Sequence, residues 1–255
     1  MPNSVEKSLS VLSALADGKN LPVTVSDLAK AVGINRSTCS HIVKTLVENG
    51  YAQRVSHKEG YVLGPEAYRL SRFGQYENAT VEICRPIMKW LHKKTGQAIV
   101  LSVIQNEEKY IITLIDKERK IFKEDETIRI DDIYRTATGR ILLANMEEED
   151  VKKIYGKYGA PKKKEWEGVD TYEKLLSALG KIGKRDIVTT VEKMEWGYRV
   201  GIGGAVFAGY KCMGAIGVAF AFSDDEYPSF EMKRSETEKM LRKGIAEINR
   251  RMSYR

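Results

Sequence analysis

The 255-residue chain carries 42 lysines and arginines against 35 aspartates and glutamates, a net charge of +7, with 42% hydrophobic and 30% charged residues. This composition excludes a disordered or collagen-like chain and leaves length for one large or two ordinary domains with real cores. The basic excess permits a nucleic-acid partner but falls short of a histone-like field, so specificity has to come from where the charge sits.

Cys39, Cys84 and Cys212 lie far apart, with no CxxC or Cys/His spacing. That argues against a zinc site or a disulfide framework and for free thiols in a reducing cytoplasm. No cofactor and no metal are expected. The N-terminus, Met1 to Leu15, alternates polar and apolar residues and lacks a signal-peptide core.

Val5, Leu9, Leu12 and Ala16 predict an amphipathic first helix that stops at Asp17-Gly18. A second helix starts near Ser26 and meets Gly33. A third starts at an Asn35 N-cap and ends at Asn49-Gly50. Two helices joined this way make a helix-turn-helix. The third helix carries two stripes: Cys39, Ile42, Val43 and Leu46 share one apolar face, while Ser37, Ser40, His41 and Lys44 lie on roughly the opposite side. A buried face backed by short hydrogen-bonding and basic residues suits a helix in the DNA major groove, with Arg36 and Thr38 at its leading end. A plain solvated helix face is the alternative.

Tyr51 to Val55 and Tyr61 to Leu63 read as paired strands around Ser56 to Gly60, a wing where Arg54, His57 and Lys58 can touch phosphates. Residues 1–65 are thus expected to form a winged helix-turn-helix, 66–78 a linker helix, and 79–255 a second domain. There, a long helix with Val81, Ile87, Met88 and Leu91 ends at Thr95-Gly96. Strands are expected at Gln97–Ile104, Lys109–Ile115 and Thr127–Ile133, then two or three helices from about Thr138 to Lys184, strands from Ile187 to Phe222, and a last helix from about Tyr227 to Met252. Val200 to Phe222 is apolar apart from Lys211 and long enough to span a membrane. Its glycines and the Ala208-Gly209-Tyr210-Lys211 break favour a buried hairpin, and no membrane partner is expected. The Gly201-Ile202-Gly203-Gly204 cluster suggests strand packing or a bulge, since no helix start follows it as a phosphate loop requires.

In this order and spacing the chain resembles the IclR-type transcription regulators. The resemblance rests on Leu-Val-Glu-Asn-Gly-Tyr at the end of the third helix and Tyr-Val-Leu-Gly at the close of the wing. It rests also on Tyr134-Arg-Thr-Ala-Thr-Gly-Arg-Ile-Leu-Leu-Ala144, similar to the family's His-Ala-Thr-Ala-Leu-Gly-Lys-Ala-Leu-Leu-Ala, and on Glu192 and Gly197 before the apolar strand. It implies an α+β chain: an N-terminal winged helix-turn-helix and a C-terminal GAF-like α/β effector-binding domain. It further implies a homodimer or dimer of dimers on double-stranded operator DNA, pseudo-palindromic to match, and a small-molecule effector. The family commonly holds an effector carboxylate against backbone amides, which here places Ala137, Thr138 and Gly139 at the anion-facing helix end.

The departures fall in the pocket. Thr190 replaces the family's Asp, Val200 aligns with its Cys, and Gly217 and Ala219 replace the two serines of a Ser-x-Ser strand. A roomier, more apolar pocket follows, suited to an aromatic or medium-chain acid rather than glyoxylate or pyruvate. Trp90, Trp166 and Trp196 are expected to be packing residues; of the three, Trp196, beside Glu195 and Gly197, has the best claim on a ligand.

An enzyme is the poorer reading. The histidines are only His41, His57 and His92, and there is no Gly-x-Ser-x-Gly, His-Glu-x-x-His or Walker loop. A ligand-independent architectural DNA binder is the other alternative.

Overall fold

The computed structural model describes residues 4–16, 22–56, 60–73, 79–116, 133–183 and 187–253. They belong to two compact units, Met1–Tyr76 and Glu77–Arg255.

In the first unit, helices α1 (Ser4–Ala16), α2 (Val25–Val32) and α3 (Arg36–Glu48) surround a core of Val11, Leu15, Leu28, Cys39 and Val43. The ends are set by local chemistry. The Thr24 hydroxyl accepts from the Asp27 amide, Gly33 closes α2 at φ +70°, and the Asn35 carboxamide accepts from the Thr38 amide at 2.7 Å. Strands β1 (Ala52–Ser56) and β2 (Gly60–Leu63) pair antiparallel, and Val23 bridges to Tyr61. Gly60 is required: a Cβ there would lie 2.4 Å from the Val23 carbonyl oxygen. Helix α4 (Pro65–Phe73) follows at once. One expectation is corrected here. Val11 and Leu15 form the inward face of α1, while Val5 and Leu9 are exposed, so α1 carries two apolar stripes.

The second unit is built on a five-stranded antiparallel sheet in the order β4-β3-β7-β6-β5. The strands are β3 (Ala98–Gln105), β4 (Glu108–Ile115), β5 (Ile187–Met194), β6 (Gly197–Ala208) and β7 (Lys211–Phe222). The sequence of the β6–β7 hairpin segregates size by its period of two. Val200, Ile202, Val206, Ile216, Val218, Phe220 and Phe222 form one core with helices α5 (Ala79–Thr95) and α9 (Phe230–Met252). The small residues between them, Gly201, Gly203, Ala205, Ala215 and Gly217, face helix α6 (Ala137–Ala144) instead. Covering both faces makes the hairpin continuously apolar, the feature that mimics a membrane span. Among the described residues no helix is long and apolar enough to cross a membrane.

Helices α7 (Glu148–Tyr158) and α8 (Tyr172–Ile182) bury Val151, Ile154, Leu175 and Leu179 with Ile133, Tyr134 and Leu143 beside α6. Arg140 ties this layer down: its Nε donates to the Tyr134 carbonyl at 2.8 Å, an Nη to the Glu165 carbonyl at 2.7 Å, and its guanidinium stacks 4.1 Å from the Trp166 ring centre. The strand expected at Thr127–Ile133 lies, up to residue 132, outside the described residues, and Ile133 is in a turn.

Candidate DNA interface and effector site

Helix α3 buries Cys39 and Val43 and exposes Arg36, Ser37, Ser40, His41 and Lys44; Thr38 is half-buried behind the Asn35 cap. The exposed set is therefore one continuous ridge of donors, acceptors and positive charge. Lys44 lies 3.8 Å from Glu48, with both side chains largely exposed, a pairing too weak and too solvated to withhold the lysine from a phosphate. Arg54 is exposed on β1 with its guanidinium 5.8 Å from the Tyr61 ring centre. His57 and Lys58 fall outside the described residues.

In the second unit the site is assembled where α6 begins. Thr136 is the N-cap, its hydroxyl accepting from the Gly139 amide at 3.2 Å, while its carbonyl accepts from the Arg140 amide. The cap takes neither the Ala137 nor the Thr138 amide, and these two first-turn donors lie over β6. A Cβ built on Gly203 would sit 3.1 Å from the Thr138 nitrogen, and one on Gly201 3.8 Å from the Ala137 nitrogen and 3.0 Å from the Thr190 hydroxyl. Thr190, Gly201, Ala219 and Ala98 form one register row across β5, β6, β7 and β3; Val188, Gly203, Gly217, Val100 and Leu114 form the next, reaching β4.

The structure thus joins Ala137, Thr138, Thr190 and Ala219 on one face of the sheet and corrects three other assignments. Val200 is fully buried on the opposite face, in the α5/α9 core, because successive strand residues alternate sides; Gly201 holds the place next to it that faces the helix. Gly139 spends its amide on the cap and packs so close to the Ile133 carbonyl that a Cβ would come within 2.0 Å. Gly217 does not leave open room, since the Thr138 methyl and Val100 occupy the space beside it. Trp196 sits half-exposed at the β5–β6 turn.

Three polar residues of this region escaped the sequence reading. Ser102, fully buried on β3, donates from its hydroxyl to Thr138 Oγ1 at 3.4 Å. Lys109, only 2% exposed on β4, donates from Nζ to Thr136 Oγ1 at 2.9 Å. Arg135, just before the cap, forms an ion pair with Glu192 on β5. A serine inside the apolar run of β3 was the available signal, while Lys109 follows Glu107 and Glu108 at the polar start of β4. Lys109 and Arg135, the latter paired with Glu192, stand beside the positive end of a helix, a setting that suits an anion. No group of His, Cys, Asp and Glu among the described residues could hold a metal.

The winged unit matches the model of the IclR helix-turn-helix domain over residues 4–56. Residues 77–244 match that of the bacterial transcriptional regulator IclR C-terminal domain. The chain belongs to the IclR family. Its members are DNA-binding transcription regulators rather than enzymes. The HTH-type transcriptional regulator KdgR of Escherichia coli (strain K12) is 25% identical to this IclR-family chain, over 99% of it and 95% of KdgR. The transcriptional repressor IclR of the same strain is 24% identical over 61% of this chain and 57% of its own length. The crystal structure of an IclR homolog from Microbacterium hydrocarbonoxydans, complexed with 4-hydroxybenzoate, has the same fold, with a TM-score of 0.67 at 16% identity, covering 97% of this chain and all of that one.

Proposed function

We propose that this regulator is a cytoplasmic repressor that binds a pseudo-palindromic operator as a homodimer or dimer of dimers and is released by an aromatic or medium-chain acid. The observation that carries the effector reading is the corner where the Ala137 and Thr138 amides and the Thr190 hydroxyl meet beside Lys109 and Arg135. Its donors and positive charge suit one carboxylate. The wall beyond it is apolar: Val100 and, in register with it, Leu114, which is 38% exposed. A ring or short chain against that wall gains roughly 25 cal/mol per Å² covered, whereas glyoxylate or pyruvate would rely on polar contacts alone. The relative complexed with 4-hydroxybenzoate supports the same class.

The dimer reading rests on α1, whose outward stripe of Val5 and Leu9 is an apolar face with no use in the core of its own unit. The repressor reading rests on the kinship with the repressor IclR. Arg36, Ser37, Thr38, Ser40, His41 and Lys44 are assigned to the major groove, and Arg54, His57 and Lys58 to phosphates. The test is a thermal-shift and operator-binding screen of 4-hydroxybenzoate, benzoate, octanoate, glyoxylate and pyruvate. The aromatic or longer acids are expected to raise the melting temperature and lower operator affinity. Selective stabilisation by glyoxylate or pyruvate overturns the effector class, and an operator affinity that no acid changes favours the ligand-independent architectural binder.

A further inference from the structure

We propose that Arg135 is the charge-selecting residue of the effector site and that Glu192 holds its place until an acid takes over the pairing. The inference rests on the acid-effector reading given above. The segment that resembles Tyr134–Ala144 in the family has alanine where this chain has Arg135, so the guanidinium is an addition to the family pattern. It is not a loose surface group. Its side chain is 17% exposed, that of Glu192 is 23% exposed, and the two are joined directly across the gap between the start of α6 and strand β5.

Their position decides what the pair can do. Arg135 directly precedes the cap Thr136 and stands two residues from Ala137, whose amide is one of the two first-turn donors that the cap does not take. Glu192 stands two residues from Thr190 on the same face of β5, so the ion pair lies one register row beyond the row that holds the Thr190 hydroxyl and Gly201. A carboxylate bound at the Ala137 amide and the Thr190 hydroxyl would come within reach of the Arg135 guanidinium. It would offer the same planar two-oxygen acceptor that Glu192 offers now. Arg199 faces Glu192 in register on β6, so Glu192 stays beside a positive charge when Arg135 changes partner. Binding adds one carboxylate to a half-buried place that already holds Arg135, Arg199 and Glu192, so two cations then face two carboxylates. A neutral ligand would have to leave the Arg135–Glu192 pair closed. The selection is therefore for charge, on top of whatever shape the apolar wall selects.

The experiment uses the full-length protein with Arg135→Gln and Glu192→Gln, titrated by calorimetry with benzoate, 4-hydroxybenzoate and octanoate, each beside its primary amide. Melting temperature and operator affinity without ligand serve as controls for folding. Arg135→Gln should weaken every acid that binds by about tenfold or more and leave the amides unchanged, as loss of a charged hydrogen bond predicts. Glu192→Gln should strengthen the same acids, because their competitor is gone. Arg135→Lys should recover part of the affinity. Acids that bind all the variants as well as the unaltered protein overturn the role of Arg135 while leaving the acid-effector reading intact. If none of the acids binds the unaltered protein, that reading falls and this inference falls with it.

Discussion

The side chain of Thr138 fills the space that Gly217 leaves: its methyl lies 2.7 Å from where a Gly217 Cβ would be, and its hydroxyl accepts from buried Ser102. A single threonine thus seats the start of α6 on the sheet by shape on one side and a hydrogen bond on the other. Gly217→Ala should push the first turn of α6 outward and cost about 1–3 kcal/mol, the usual penalty for an extra methyl in a filled site. Thr138→Ser, which removes only the methyl, should recover much of that loss. Urea unfolding of the two single variants and the double variant checks this. Additive losses would show that the two residues do not share one space.

Arg140 is held by two carbonyl acceptors and stacked on Trp166, and burial pushes its pKa down to about 10. Arg140→Met keeps much of the stem but leaves both carbonyls without this donor. A loss of about 2–4 kcal/mol is expected, read as a lower denaturant midpoint. Retained stability in Arg140→Met would mean that the Glu165–Trp166 turn holds to α6 by its apolar contacts alone.

Burial in the α5/α9 core pushes the Cys84 thiol up to about 12 from its ordinary 9.0. A folded pKa above the unfolded one contributes stability that is complete below pH 9 and fades as pH rises from there toward 12. Cys84 should accordingly escape iodoacetamide at pH 8.5 in the folded protein and react in urea, as mass mapping of the three cysteines can check. Rapid labelling of folded Cys84 would contradict its burial.

The outward stripe of α1 should be needed for association. Leu9→Glu places a charge on an exposed position of that stripe, so it should leave the fold intact and yield monomers by light scattering at micromolar concentration. A monomeric unaltered protein, on and off DNA, would remove the dimer from the account.

The winged unit was legible because its signals are local. The Asn35 cap, Gly33 and the two stripes of α3 each fix an end or a face within a few residues. The effector site was legible only in part, because it is made by register. Nothing near Gly201 and Gly203 announces a helix, yet α6, from some sixty residues earlier, starts on top of them. The same strand alternation turned Val200 away by one position. Ser102, Lys109 and Arg135 reach α6 across separations of 36, 27 and, for Arg135 to Glu192, 57 residues, distances at which a single sequence gives no pairing signal.

On the DNA side, Arg36→Ala and Lys44→Ala should each weaken operator binding, by about 1–3 kcal/mol where a base is read bidentately. Footprinting of the promoter beside the protein's own gene supplies the operator. The ratio of affinities for that operator and a scrambled duplex, measured by fluorescence anisotropy at one fixed salt concentration for the unaltered protein and both variants, tests the central claim most directly. We expect the unaltered protein to prefer the operator by at least about 10³-fold, as sequence-specific regulators do, and both variants to lose part of that preference with their folds intact. Equal affinity for the two duplexes, or an unchanged ratio in both variants, would contradict the assignment of α3 as the helix that reads DNA.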